Sequence, residues 1–409
     1  MRVRLRAVLS RLALVAGAVL VGLGCGEGFL RLQEPFLHLM ARRYNYVALN
    51  ISDPIWDHGL RPGITLSTNW IDSAGHPPPM TYSTNNIGCR YPVDLQVPKP
   101  SDVRRILLLG DSFALGYYYE DTVAAQIEHS LNSAPLGKRF EVVNCAVPSH
   151  SPMLYYLRLK NQLAALQPDE VLLCIDPTDI FDDYWRYRPR GSFAADGEPL
   201  AVKETVRWRH WALEWVLGRL YLARVLWTVR VTAGPPFGRR QATDTRATSR
   251  KLFDYYSTLP VTSEEWQREV GFCLENISRI FTFCEERSIT VTVTLVPHKE
   301  QLQPDANGRL WNREFDQRLD KLCRDAGVDF YSPAEALAAE LSAGHSLYLQ
   351  NDMHFTPAGE RIWAGLVANF FVTRHEARLE RGRVGPPVSP PHQIHGNPGP
   401  VARGKRAHL

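Results

Sequence analysis

Two short stretches of the 409-residue chain hold residue types that do chemistry together. In "RRILLLGDSFALG" (104–116) an apolar run stops at Gly110-Asp111-Ser112. Burial explains the run, but not an acid and a hydroxyl at its end. In "QNDMHFTPAGERIW" (350–363), Asp352 and His354 stand just before a helix that Pro357 opens. A serine hydroxyl becomes a nucleophile when an imidazole takes its proton and an acid orients that imidazole. Ser112, His354 and Asp352 supply those three types, so the chemistry would be acyl transfer through serine. Singly, each has a plainer reading: Gly-Asp-Ser as a turn and helix cap, Asp352 as a cap, His354 as a structural histidine.

The elements that must position these residues follow from periodicity. Apolar runs at 104–109, 139–147, 170–176 and 289–297, and a shorter one at 328–333, read as buried strands. Helical patterns lie between them at 121–131, 151–166 and 312–326, and Thr262 with Glu265 makes a capping box for a helix running to about Arg287. Alternating strands and helices predict an α/β fold, a flavodoxin-like three-layer α/β/α parallel sheet of about five strands. Ligands in such sheets bind outside the carboxyl ends of the strands. Ser112, the stretch 144–151 and Asp176-Pro177-Thr178-Asp179 all fall at those ends.

In this order on this fold, the motifs resemble those of the SGNH, or GDSL, hydrolases, particularly bacterial membrane-anchored members. "ILLLGDSFALG" resembles the family's first block, whose serine is the nucleophile, here Ser112. "DMHFTPAG" resembles the last block and carries the acid and base to Asp352 and His354. Many members have two residues between these; here only Met353 intervenes, and Asn351 occupies the more usual acid position. The shorter spacing is similar to that of exported relatives, including ones that acetylate polysaccharides. "TNNIGCRYP" (84–92) resembles an element that precedes the first block in anchored members. The resemblance spans roughly residues 83–372 and implies an oxyanion hole of the Ser112 N–H, a second-block N–H and a third-block side chain. Ser149 stands in the place of the second-block glycine, and Thr178 in that of the third-block asparagine. Asp111 and Asp179 are supporting residues, Asp179 bracing its loop. No metal or organic cofactor is implied.

The flanks bear on location and partners. "MRVRLRAVLSRLALVAGAVLVGLGCGEGFLRL" places four arginines before a long apolar run. It reads as a signal anchor over 1–30, a single transmembrane helix with the arginines inside and the rest exported. A cleaved signal or a lipoprotein site at Cys25 are the alternatives. Residues 31–100 form a lead-in with short strands, 101–373 the hydrolase-like domain, and 374–409 a disordered basic tail. The four N-terminal arginines and the five net positives from Arg374 onward exceed the total charge of +4, which leaves −5 for residues 12–373. An acidic body argues against nucleic acid as partner. The seven cysteines show no zinc spacing and no disulfide framework; Cys145 and Cys174 read as small hydrophobes.

The alternation breaks over an insert at 181–260, which has no clear strand. Its aromatic and basic stretch 208–231 reads as an amphipathic helix packed on the core rather than on the bilayer surface. Trp185 and Tyr187 read either as a carbohydrate pocket or as core, and His298, near the expected active edge, either as a substrate contact or as a solvated loop residue. The expected activity is a serine esterase or deacylase acting on O-acyl esters of a cell-envelope glycan or lipid. A polysaccharide O-acyltransferase with the same triad, and a catalytically degraded glycan-binding or assembly protein, are the alternatives. The sequence does not indicate an oligomeric state.

Overall fold

The computed structural model describes residues 2–32, 49–68, 80–116, 121–203, 216, 220–223, 225–226, 253–256, 259–304, 308, 310–349 and 353–383. The aliphatic runs form strands β1 (Val103–Leu109), β2 (Arg139–Asn144), β3 (Glu170–Ile175), β4 (Thr290–Leu295) and β5 (Asp329–Tyr331). They make one sheet in the order β5-β4-β3-β1-β2. Every pairing in it is parallel. This is the flavodoxin-like order, with its switch point between β1 and β3.

The helices are α1 (Arg2–Leu32), α2 (Ser112–Leu115), α3 (Val123–Ser133), α4 (Pro152–Asn161), α5 (Thr178–Phe181), α6 (Glu264–Glu285), α7 (Lys299–Leu302), α8 (Glu314–Asp325), α9 (Ala334–Ser342) and α10 (Pro357–Arg383). Successive side chains of a strand point to opposite faces, so both faces of this sheet must be covered. Ile106, Leu108, Leu172 and Cys174 pack with Val123, Ile127 and Leu131 of α3 and with Trp363, Val367 and Phe371 of α10. Leu107, Leu109, Leu173 and Val293 pack on the other side with Tyr155 of α4, Val270 and Ile277 of α6, and Phe315 and Leu319 of α8. Each fully buried aliphatic side chain contributes roughly 1.5–3 kcal/mol. The helix α6 buries Trp266, Val270, Cys273, Ile277, Ile280 and Cys284, the three-to-four spacing of one face. Its cap is Ser263, whose side chain accepts from the Trp266 N–H, not the expected Thr262.

Four expectations need correction. The insert does contain strands: Gly191–Phe193 pairs antiparallel with Pro199–Val202, a hairpin too short and too polar to show as a run. The tail does not begin at 374, because α10 continues to Arg383. Arg374 reaches Glu170, and Arg378 donates to Asp329 at 2.6 Å, both at the far end of the sheet from Ser112. Cys145 is not a free thiol but is bonded to Cys89. Of the stretch 208–231 only Val216, residues 220–223, Val225 and Leu226 are described, and these do not join the core. Leu226 is 61% exposed, and the N–H groups of Tyr221 and Leu222 donate to Glu27 of α1 at 2.9 and 2.8 Å.

The helix α1 is long and apolar enough over Ala13–Leu32 to cross a membrane, with a mean hydropathy of 1.8 and none of that window buried. The lead-in folds as two hairpins, Asn50–Asp53 with Asp57–Leu60 and Thr65–Thr68 with Met80–Ser83. Its last segment joins the sheet: the Arg90 N–H donates to the Asn144 carbonyl at 2.7 Å, next to the Cys89–Cys145 bond. Residues 384–409 lie outside the described residues.

Candidate active site

Ser112 stands at the switch point because β1 ends in a turn that admits only glycine. A Cβ on Gly110 would lie 2.5 Å from the Ala114 Cβ and 3.1 Å from that of Cys174. The short helix α2 can therefore start directly against β3. Asp111 caps it, accepting from the Phe113 N–H at 2.8 Å. The other end is held by Asn144, whose amide donates to the Ala114 carbonyl at 2.9 Å, and by Arg90, which donates to the carbonyls of Leu115 and Gly116. In the first turn of α2 the Ser112 N–H has no acceptor within the helix.

His354 comes from a segment bound at both ends. Its carbonyl accepts from Leu349 at 3.0 Å, and Thr356 donates to Leu347 at 2.8 Å. Tyr348, bridged to Phe355, donates its hydroxyl to the Pro297 carbonyl at 2.6 Å. The imidazole packs on Phe113 at 4.8 Å. Its Nε2 lies 2.7 Å from Ser112 Oγ, although 242 residues separate the two. Both residues are buried.

Ser112 Oγ also lies 3.2 Å from Asp111 Oδ2. Burial, then the charge of Asp176, raises Asp111 well above the usual carboxylate range. Burial works against the charge of Asp176 too, but His298 and the bonds from Thr178 outweigh it and hold Asp176 low. Asp352, the orienting acid of the sequence analysis, lies outside the described residues.

The two flanking loops differ in what they offer. Ser149 has φ +61°, the left-handed conformation that glycine adopts freely and that costs another residue roughly 1–2 kcal/mol. Its N–H has no partner among the described residues. Thr178 departs from expectation. Both its N–H and its hydroxyl donate to Asp176 Oδ1, at 2.5 and 2.6 Å. The only hydroxyl hydrogen it could offer an oxyanion is thus committed inside the loop. Asp179 accepts from the Asp176 N–H at 3.0 Å and from the Tyr155 hydroxyl at 3.2 Å, which ties the loop to α4.

His298 is buried rather than solvated, with its Nε2 3.7 Å from Asp176 Oδ1. Tyr187 is buried and donates its hydroxyl to the Ser149 carbonyl, whereas Trp185 is 46% exposed. Sequence reading missed Arg90, Asn144 and Asp176 as positioning groups. The run "GCRYP" was the only signal for Arg90, and none pointed to Asp176 beyond its place after β3. Among the described residues, no three His, Cys, Asp or Glu side chains gather as metal ligands.

A buried serine and a buried imidazole thus meet at the switch point of a flavodoxin-like parallel sheet. Residues 267–392 match the family model described as an SGNH hydrolase-like domain of the acetyltransferase AlgX. That match covers the C-terminal part of the chain, which resembles the SGNH/GDSL hydrolases. Among solved structures it is similar to a lipase/acylhydrolase from Enterococcus faecalis, at 12% identity and a TM-score of 0.35 over 66% of this chain and 96% of that one. It is also similar to the H194A variant of Axe2, an acetylxylan esterase from Geobacillus stearothermophilus, at 13% identity and a TM-score of 0.37 over 65% and 93%. A search of curated proteins gave no match.

Proposed function

We propose that the chain is a serine esterase or deacylase that removes O-acyl groups from a cell-envelope glycan or lipid. The observation that carries this reading is the 2.7 Å contact between His354 Nε2 and Ser112 Oγ. His354, oriented by Asp352, takes the Ser112 proton as Oγ bonds to the ester carbonyl carbon. The resulting oxyanion faces the N–H groups of Ser112 and Ser149. As the intermediate collapses, the imidazolium returns the proton to the leaving alkoxide, and an acyl-serine remains. Water, deprotonated by His354, then attacks that ester and regenerates the serine.

A second reading replaces water with a sugar hydroxyl, which makes the protein an O-acyltransferase. The acetyltransferase description of the matching family model favours it. Two features support placement outside the cytoplasm: the N-terminal apolar helix behind its arginines, and the Cys89–Cys145 bond, which persists in oxidising compartments. The contact between Glu27 and the insert supports the anchor and the body acting as one unit at the membrane surface.

The test is covalent labelling of membrane fractions with a fluorophosphonate, followed by incubation with an acetyl-ester donor with and without an oligosaccharide acceptor. A phosphonyl adduct on Ser112 and free acetate are expected. Acetate moved to the sugar selects the transferase, and an unlabelled serine with no turnover selects the degraded binder. Thr178→Val separates the two views of the third loop. With its hydroxyl already committed, it is expected to lower turnover less than tenfold, against the roughly 10²–10³-fold loss that removal of an oxyanion donor causes. Steady-state kinetics on p-nitrophenyl acetate measures the difference.

A further inference from the structure

The loop that carries Ser149 is gripped by a part of the chain that the serine chemistry leaves unused. In the lead-in hairpin, His58 sets its Nδ1 2.9 Å from Asp57 Oδ2 and its Nε2 2.8 Å from the Pro148 carbonyl oxygen. Both neighbours are acceptors, a carboxylate and a carbonyl, so the ring is held between them. His150 returns the contact, its Nε2 donating to the His58 carbonyl at 2.7 Å. The two rings meet edge to face at 4.9 Å. Arg190 holds the other oxygen of Asp57 at 2.6 Å. Burial opposes the Asp57 charge, but the bonds from His58 and Arg190 outweigh it and hold that carboxyl well below its usual range. Burial, then the neighbouring His58, pushes His150 down.

The grip falls on three consecutive residues. Pro148 is held at its carbonyl by His58, Ser149 at its carbonyl by Tyr187, and His150 through its ring. Ser149 lies in the middle, in the left-handed conformation that its side chain disfavours. Such backbone persists only where the surroundings over-determine it. That conformation also decides where the Ser149 N–H points.

We propose that Asp57 and His58 are a positioning pair for the oxyanion hole, the lead-in hairpin holding the second-block loop so that the Ser149 N–H faces the tetrahedral intermediate. The inference rests on the serine-enzyme reading above. The pair touches neither substrate nor Ser112; it acts through Pro148 and Ser149. Because the N–H matters most when charge develops on the oxygen, loss of the grip lowers kcat and leaves KM nearly unchanged. A hairpin that serves only to stabilise the fold would lower the melting temperature without that split.

The experiment uses the full chain in detergent, with p-nitrophenyl acetate as substrate and a fluorophosphonate as a probe whose phosphoryl oxygen occupies the same hole. His58→Ala is expected to lower kcat about 10- to 100-fold and slow labelling to match, with KM within about threefold. His58→Gln, whose amide reproduces the donor toward Pro148, is expected to recover most of that loss. If His58→Ala does not fold, Tyr187→Phe tests the same grip from the Ser149 carbonyl and is expected to show the same kcat-selective fall. An active wild type whose His58→Ala and Tyr187→Phe variants keep kcat within about twofold overturns the positioning role and leaves the serine reading intact. A wild type that neither hydrolyses nor labels removes the serine reading, and this inference with it.

Discussion

Replacing Ser112 with alanine is expected to lower ester turnover by about 10⁵-fold or more, and His354→Ala by a similar factor. The double variant is expected to fall no further. The two side chains act as a unit: without the imidazole the hydroxyl stays protonated, and without the hydroxyl the imidazole has no proton to move. The residual rate then reflects the backbone N–H groups and substrate binding alone. The fold should survive the serine change, because the Asp111 cap and the Asn144 and Arg90 contacts to α2 use none of its hydroxyl. Ester kinetics with a parallel melting curve measures both effects. Retained turnover in Ser112→Ala would remove Ser112 as nucleophile.

Replacing both Cys89 and Cys145 with serine is expected to cost about 2–4 kcal/mol of stability. The bond closes 56 residues of sequence and joins the lead-in to the chain just past β2. Arg90, which holds the end of α2, follows Cys89 directly, and the loop of Ser149 begins shortly after Cys145. The destabilised variant is therefore expected to lose activity on mild heating before its helical signal melts. A melting curve read alongside residual activity checks this; identical curves for variant and wild type would show that the bond contributes nothing to stability.

The sheet was legible because β1, β3 and β4 are aliphatic runs long enough to be buried on both faces. Ser112 and His354 were legible because each directly follows or precedes an element with its own pattern. What could not be read depends on separations that carry no local period. His58 meets Pro148 across 90 residues, and nothing in "WDHGL" marks it. Cys89 and Cys145 were hidden by an odd cysteine count, and the hairpin at 191–202 by its brevity. The Thr178 hydroxyl is turned inward by Asp176, a choice between two acceptors that composition does not reveal.

Gly110 has a further consequence. With Cβ-sized space closed off by Ala114 and Cys174, no larger residue fits there unless the helix behind the serine lifts away from the third strand. Position 110 thus acts as a spacer of zero thickness. It fixes how deep the reactive oxygen sits relative to the loops on either side, and variation among working forms of this protein has to be sought in those loops instead.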